Sequence, residues 1–483
     1  MAESLKNRTV NGVVWSAIDR FSALGIQIVC SLIIAHLLTP EDFGILGMIT
    51  VFSAIGLVII DSGFGLALIR RNDVTELDYS SVFYLNLFLA IICYSVLYCL
   101  SPLIADFYNL EPLTQICRVT FWVLPINAFG LIQNTILLKK IDFKTIAIAS
   151  LASSLFSGII GIILAYNIRN VWALVIQNIS MYGLRSIILW CVGHWKPMLR
   201  FSITSIKSMW SYSMNLLGFG LISSLTQNIY PLVIGKFYNA TQLGFYSQAD
   251  RLQKLPATSI TEVIQRVCFP VLSEVKEDIP RMREAYRKII MTTFFIVFPM
   301  MILLIGIANE LIMLLLGPQW SESILYFQIL CIVGALYPLH SINLNILNVV
   351  GKSRLSLVLE VARKVILILL IIIAIKYDMI ILVLAQVVYS IIVLFLNMYY
   401  SGREIDYGII QQFRDISPTI LLSLISLGLI SLFIYIPYQH EFVLLVIKCL
   451  TFIISFFMLN RIFKTQSYSF AIPILANLIK QIR

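Results

Sequence analysis

Apolar residues in this chain come in long, nearly unbroken blocks, too extended for one face of a soluble helix and without the alternation of a half-buried strand. Read at the roughly 20 apolar residues that a helix needs to cross a bilayer, the blocks predict about fourteen spans. They cover residues 11–38, 43–69, 79–104, 114–138, 145–166, 170–192, 207–235, 243–271, 289–309, 323–350, 355–375, 379–400, 417–437 and 441–460. The eighth is the most polar, because Asp250, Arg251, Lys254, Glu262 and Arg266 all fall inside it. The segments between blocks are short, the longest being 272–288 and 401–416, so no soluble domain fits between spans. The expected fold class is an all-α polytopic membrane protein.

Composition agrees. The 483 residues are 59% hydrophobic and 12% charged, half of the roughly 25% charge of a soluble domain. The formal net charge of +10 would suit a nucleic-acid binder. The Lys and Arg residues, however, sit in short clusters between apolar blocks rather than on one basic domain, which argues for a membrane and against nucleic acid. Eight cysteines (Cys30, Cys93, Cys99, Cys117, Cys191, Cys268, Cys331 and Cys449) lie almost entirely within the blocks, with no CxxC pair. They read as small core hydrophobes, and His194 after Cys191 has no second ligand pair, so no disulfide, metal or other cofactor is expected. The first block holds Asp19 and Arg20 and runs to Leu38, too charged and too long for the apolar part of a cleaved leader, so the N-terminus is expected to be retained.

Cytoplasmic loops of membrane proteins hold an excess of Lys and Arg, which orients the chain. With the N-terminus inside, 25 of the 35 such residues fall on the cytoplasmic side, among them Arg70, Arg71, Lys139, Lys140, Lys144, Arg287, Lys288, Lys352, Arg354, Arg363 and Lys364. The outer segments hold Arg118, Arg169, Lys236 and Lys376, and dropping any one span inverts the tally after it. Both termini are therefore expected in the cytoplasm, with the turns at Thr39 to Asp42 and Asn239 to Gln242 outside.

An internal repeat appears at an offset of 200. IAHLLTPEDFGILG at 34–47 aligns with IGKFYNATQLGFYS at 234–247, matching Ile34 with Ile234 and Gly44 with Gly244, and upstream Gln27 with Gln227. A second echo sets Pro125 and Asn127 against Pro338 and His340. Six spans separate the copies, an even number, so both enter the membrane in the same direction. The division this implies is 1–200 and 201–402 as two six-helix lobes in parallel repeat, with two further helices in 403–483.

An ionisable side chain at the bilayer centre costs about 2.5–3.5 kcal/mol on insertion scales, so each one in a span is a candidate site. Arg20 and Asp61 lie at similar depth in the first two spans, and an ion pair between them, or a triad with Asp19, is geometrically reasonable; it would either couple ions to transport or merely pin two helices. Ser16, Arg20, Gln27 and Ser31 form one polar stripe at helical spacing. Ser247, Arg251, Lys254, Thr258, Glu262 and Gln265 form a longer one on span eight, read as the lining of a water-filled cavity. Arg20, Arg251, Lys254 and Arg266 are the cations available to an anionic substrate there, accompanied by Gln27, Glu262 and Gln265. Asn127, Gln133, Asn134, Asn343, Asn345 and Asn348 are read as links between helices, and His340 as a histidine satisfied by a neighbour.

Motifs for ATP use, metallopeptidase or serine-hydrolase chemistry are absent: there is no GxxxxGK[ST], HExxH or GxSxG, and no catalytic residue is expected. The segments LLTPEDFGILGM at 37–48, DSGFGLALIRRNDVTELDYSSVFY at 61–84, PLIADFYN at 102–109 and LKKIDFK at 138–144 resemble the Wzx-type polysaccharide flippases of the MOP exporter superfamily, in the branch that exports colanic-acid or teichuronic-acid type repeat units. The resemblance implies two six-helix lobes in a V, two extra C-terminal helices and a bacterial inner membrane location. It also implies transfer of undecaprenyl-pyrophosphate-linked oligosaccharide to the outer leaflet by alternating access, alongside membrane lipids and other polysaccharide assembly proteins, with no enzymatic step. Two alternatives are weighed: a cation-coupled multidrug exporter, disfavoured by the net basic eighth span, and a membrane glycan polymerase or ligase, disfavoured by short outer loops poor in Arg and His.

Overall fold

The computed structural model of the protein describes residues 2–275, 277–435 and 441–473; of these, the side chains at 2–14, 17, 20, 21, 262, 263, 266–271, 353, 434 and 435 lie outside the description. The described residues contain helices and no strand. In order these are α1 (Ala2–Leu37), α2 (Pro40–Asp61), α3 (Phe64–Arg70), α4 (Glu76–Tyr108), α5 (Leu113–Thr120), α6 (Val123–Lys139), α7 (Phe143–Ile168), α8 (Trp172–Val192), α9 (Ile203–Gln227), α10 (Ile229–Phe237), α11 (Ala240–Glu274), α12 (Ile279–Gly306), α13 (Ala308–Leu315), α14 (Ser323–Val349), α15 (Ser353–Ala374), α16 (Met379–Ile405), α17 (Ile409–Ser431) and α18 (Glu441–Ile462).

Within the described residues, each of the fourteen apolar blocks falls on a helix or a broken pair of helices. By length and hydropathy ten of them qualify as membrane spans among the described residues, and the α9–α10 pair, bent by 45°, makes an eleventh. Large apolar side chains such as Phe88, Leu103, Ile163 and Ile454 stand exposed along these helices, an arrangement suited to lipid. The protein is a multi-pass membrane protein. Among the described residues the count of fourteen is not reached: α11 and α15 carry charges within their length, and α1 is described as an apolar stretch only over Ser22–Leu37. In α15 the difference is specific: Arg363 and Lys364, assigned above to a cytoplasmic segment, lie mid-helix, where both pair with Glu360, Lys364 at 3.0 Å. An intrahelical carboxylate three or four residues away lets the helix continue through them.

The chain packs as two units, Met1–Gly244 and Phe245–Arg483. In the first, α1 lies on α7, α7 on α8, and α6 between α4 and α8, while α9 and α10 pack on α2, α3 and α4. Helix starts are fixed by side-chain caps. Thr39 and Thr75 each accept a backbone N–H three residues on, from Asp42 and Asp78, whose carboxylates accept the cap N–H in return. The α2–α3 span breaks at Ser62 and Gly63, both left-handed (φ 45° and 72°), and Lys139 Nζ donates to the carbonyls of Leu68 and Arg71 at 2.8 and 2.5 Å, satisfying the far end of α3.

In the second unit α14 is central, flanked by α12 and α16, and α17 joins α12 to α18. Two ion pairs fasten its C-terminal helices. Arg287 of α12 makes a two-pronged contact with Asp415 of α17 (2.5 and 2.8 Å), which also accepts from Tyr407 Oη at 2.6 Å. Lys448 of α18 meets Glu310 of α13 at 2.5 Å with both side chains buried.

The repeat has a local structural counterpart. Thr39 and Asn239 occupy the same position before a helix: Asn239 Oδ1 accepts from Gln242 N at 2.8 Å as Thr39 Oγ1 accepts from Asp42 N. The helices that follow touch reciprocally. A Cβ built on Gly44 would stand 1.7 Å from Ala240 O, and one on Gly244 1.8 Å from Pro40 O. Each glycine thus admits the carbonyl four residues earlier in the other copy.

Candidate functional site

The long polar stripe of the eighth block lies on α11, which is one continuous helix of 35 residues. Its two faces differ. Ala249, Gln253, Ala257 and Thr261 are buried, and Gln253 and Ala257 lie against Gly334 of α14, where an added Cβ would come within 2.6 Å of Gln253 Oε1 and 3.5 Å of Ala257 Cβ. On the other side Ser247, Arg251, Thr258 and Gln265 are half-buried and Lys254 is exposed. The spacing therefore did read a real face, one that is polar and accessible and backs onto the packed one. Its members are not idle. Lys254 pairs with Asp250 at 2.6 Å, Gln265 donates to Ser341 of α14, and Arg251 has interactions of its own. The side chains of Glu262 and Arg266 lie outside the described residues.

In the first unit, Gln27 bridges helices rather than standing open, with Nε2 3.5 Å from Ser154 Oγ of α7 and 3.6 Å from Met181 Sδ of α8. Asp19 and Asp61 are half-buried. Asp19 Oδ1 is enclosed without a hydrogen-bond partner among the described residues, and Asp61 is the last residue of α2, at the left-handed break. Arg20, the expected partner of Asp61, has its side chain outside the described residues.

For Gln133, Asn343 and His340 the expected partners are found. Gln133 donates to Trp195 O at 2.9 Å, Ser401 of α16 to Asn343 Oδ1 of α14, and His340 Nε2 stands 2.8 Å from Ser390 Oγ of α16. Among the described cysteines none is paired, and Cys30, Cys117 and Cys331 are buried.

A second polar site was not selected from the sequence. It lies between α6 and α8. The two helices meet at Gly130, where a Cβ would stand 2.7 Å from Ser186 Oγ, and Ser186 donates to Ile126 O at 2.8 Å. The seam has unlike flanks. On one, Ile126, Phe129, Ile187 and Trp190 line an apolar groove of about 670 Å³. On the other, Asn127, Asn134, Tyr182 and Arg185 line a polar cavity of about 40 Å³. Arg185 Nη2 donates to Asn134 Oδ1 at 3.3 Å, while its Nε is buried without a partner. The signal in the sequence was the shared face: Tyr182 and Arg185 are three apart, and Asn127 and Asn134 seven apart, which places each pair on one side of its helix.

Comparison with known proteins follows the same line. Residues 33–325 match the family model described as "Polysaccharide biosynthesis protein". The chain is 26% identical over 355 residues to the teichuronic acid biosynthesis protein TuaB of Bacillus subtilis, covering 73% of this chain and 74% of that one. It is 26% identical over 342 residues to the lipopolysaccharide biosynthesis protein WzxC of Escherichia coli, covering 69% and 68%. In fold it is similar to lipid II flippase MurJ in an inward closed conformation, with a TM-score of 0.75 at 17% identity over 93% of this chain and 98% of that one.

Proposed function

The chain belongs to the polysaccharide biosynthesis protein family, and we propose that it flips an undecaprenyl-pyrophosphate-linked oligosaccharide from the inner to the outer leaflet of a bacterial inner membrane. The observation that carries this reading is α11. A helix of bilayer length keeps an accessible face bearing Ser247, Arg251, Lys254 and Thr258 while burying Ala249, Gln253, Ala257 and Thr261 behind it. Cations on such a face would suit a substrate whose pyrophosphate must leave water, because guanidinium and ammonium groups replace its hydration with charge-assisted hydrogen bonds. Arg20 and Arg266 would extend that path and Gln27, Glu262 and Gln265 contribute polar contacts, with Asp19 and Asp61 as the candidate coupling pair. The lobes that rock in such a cycle would be 1–200 and 201–402, followed by the helices of 403–483. Both termini would face the cytoplasm, as the distribution of Lys and Arg favours.

The test is leaflet transfer. The purified full chain is reconstituted into vesicles holding a labelled undecaprenyl-pyrophosphate disaccharide in one leaflet, and appearance of the sugar in the other is followed with an impermeant glycosidase. Protein-dependent transfer without polymer formation is expected. Ethidium efflux with no glycolipid transfer would replace the reading by a multidrug exporter, and lengthened glycans would replace it by a polymerase.

A further inference from the structure

We infer that the polar cavity between α6 and α8 is a phosphoryl-binding site, with Arg185 as its charge and Asn127, Asn134 and Tyr182 as its other donors. The inference rests on the flippase reading for the source of the phosphoryl group, and on the cavity alone for its chemistry.

The first step is charge. A guanidinium inside a membrane span is expensive, and most cations placed within the helices of this protein are visibly compensated. Lys139 is held by two carbonyls, Lys448 by Glu310 and Arg287 by Asp415; Arg118, whose Nε is likewise enclosed without a hydrogen-bond partner, has the face of the Tyr98 ring 4.4 Å from its Cζ. Arg185 has one long hydrogen bond to a neutral amide, and no carboxylate within ion-pair distance among the described residues. Its Nε is enclosed and unpaired, a costly state for a donor on a charged group.

The second step is the sign of the hydrogen bonding. Asn134 accepts from Arg185 through Oδ1, which leaves its amino group to donate. Neither Asn127 nor Tyr182 has a hydrogen-bond partner among the described residues, whereas Ser186 already spends its proton on Ile126 O. The lining is therefore rich in donors, free of carboxylates and positively charged, which selects a ligand that only accepts. A cation is excluded by charge, and a sugar ring by size. At about 10–15 Å³ of such volume per water-sized group, 40 Å³ admits about three or four oxygens, those of one phosphoryl group.

The third step is position. Arg185 lies seven residues before the end of α8 at Val192, and Asn134 five before the end of α6 at Lys139, about 10 and 8 Å at 1.5 Å per residue. This is the helix end next to Lys139, Lys140 and Lys144, the end assigned to the cytoplasmic leaflet in the proposed function. The Gly130–Ser186 seam separates the cavity from the apolar groove on the opposite flank.

Equilibrium binding of radiolabelled inorganic pyrophosphate and of undecaprenyl pyrophosphate to the full chain in detergent tests this, with folded yield read by size-exclusion chromatography. Arg185→Gln is expected to weaken both at least tenfold, Arg185→Lys to restore part of the affinity, and Arg118→Gln, a second intramembrane guanidinium of the same unit, to stay within twofold of the parent. Folded Arg185→Gln with parental affinity overturns the site. Should Arg185→Gln fail to fold, Asn127→Leu and Tyr182→Phe each remove one donor and are expected to weaken binding severalfold; no change in either overturns it equally. Arg185-dependent binding of inorganic pyrophosphate alone, with no binding or transfer of the lipid form, keeps a free-anion site and refutes the flippase reading. Transfer of the lipid-linked sugar with Arg185-independent pyrophosphate binding refutes the site and keeps the flippase.

Discussion

Adding a methyl group to a helical glycine ordinarily strengthens the helix, by about 1 kcal/mol for Gly to Ala, and at Gly44 and Gly244 the structure requires the opposite sign. The new Cβ at Gly44 would lie 1.7 Å from Ala240 O, about 2 Å inside a normal carbon contact. The obstacle is main chain at the capped start of a helix, so no rotamer change relieves it and one helix must retreat. Overpacking costs about 1–3 kcal/mol where side chains can give; here the upper end is expected, about 3 kcal/mol net of the propensity gain. Because the two glycines form one reciprocal contact, parting the helices for the first Cβ makes room for the second. The double variant Gly44→Ala/Gly244→Ala should therefore lose at least about 1 kcal/mol less than the two singles added together. Gly218 of α9 and Gly428 of α17 serve as controls, since nothing lies within 4 Å of a Cβ built on either. The assay is the temperature at which half of the full-length protein leaves the monodisperse peak after heating in detergent. Gly218→Ala and Gly428→Ala should raise it or leave it unchanged, and Gly44→Ala and Gly244→Ala should lower it. If Gly44→Ala behaves like the controls, or if the two singles add without coupling, the reciprocal contact is not the constraint described.

Two further predictions concern ion pairs. Lys448→Met strands a buried Glu310 carboxylate and should lower stability by about 3–5 kcal/mol; the double variant Glu310→Gln/Lys448→Met should recover most of the loss, and failure to recover would mean that Lys448 acts on something other than Glu310. Lys254, by contrast, is more than half exposed beside Asp250, so Lys254→Gln should change stability by no more than about 1 kcal/mol while slowing transfer of the pyrophosphate-linked sugar severalfold in the vesicle assay. Normal transfer with reduced folded yield would leave Lys254 a purely structural partner of Asp250.

What the chain disclosed by itself follows from what each feature depends on. Span positions depend on apolar length alone, and within the described residues all fourteen blocks fall on helices. Breaks inside spans depend on two or three residues and went unread: the left-handed pair Ser62–Gly63 and the bend at Asn228 leave the hydropathy unchanged. Arg363 and Lys364, counted with a cytoplasmic segment, lie mid-helix, and a charge count cannot see that both pair with Glu360 within the helix. The α11 face was legible because six polar residues at one helical period are hard to arrange by chance, whereas the α6–α8 cavity draws two residues from each of two helices. Its amides had a sufficient explanation as interhelical links, and only their joint placement against Arg185 changes that.

The same placement separates the charges that hold this membrane fold from those free to act on something else. A cation such as Lys139 or Lys448 has its interactions completed by the protein, so it contributes to stability and would lose by engaging a substrate. Arg185 is in the reverse position: its Nε is shut off from water, yet the folded chain returns its guanidinium one neutral hydrogen bond. A ligand that supplies the missing acceptors gains the interaction and also relieves an existing deficit, so its binding is favoured twice over. Lys254 stands between these cases, paired but exposed, and can exchange Asp250 for a substrate oxygen at little cost in water.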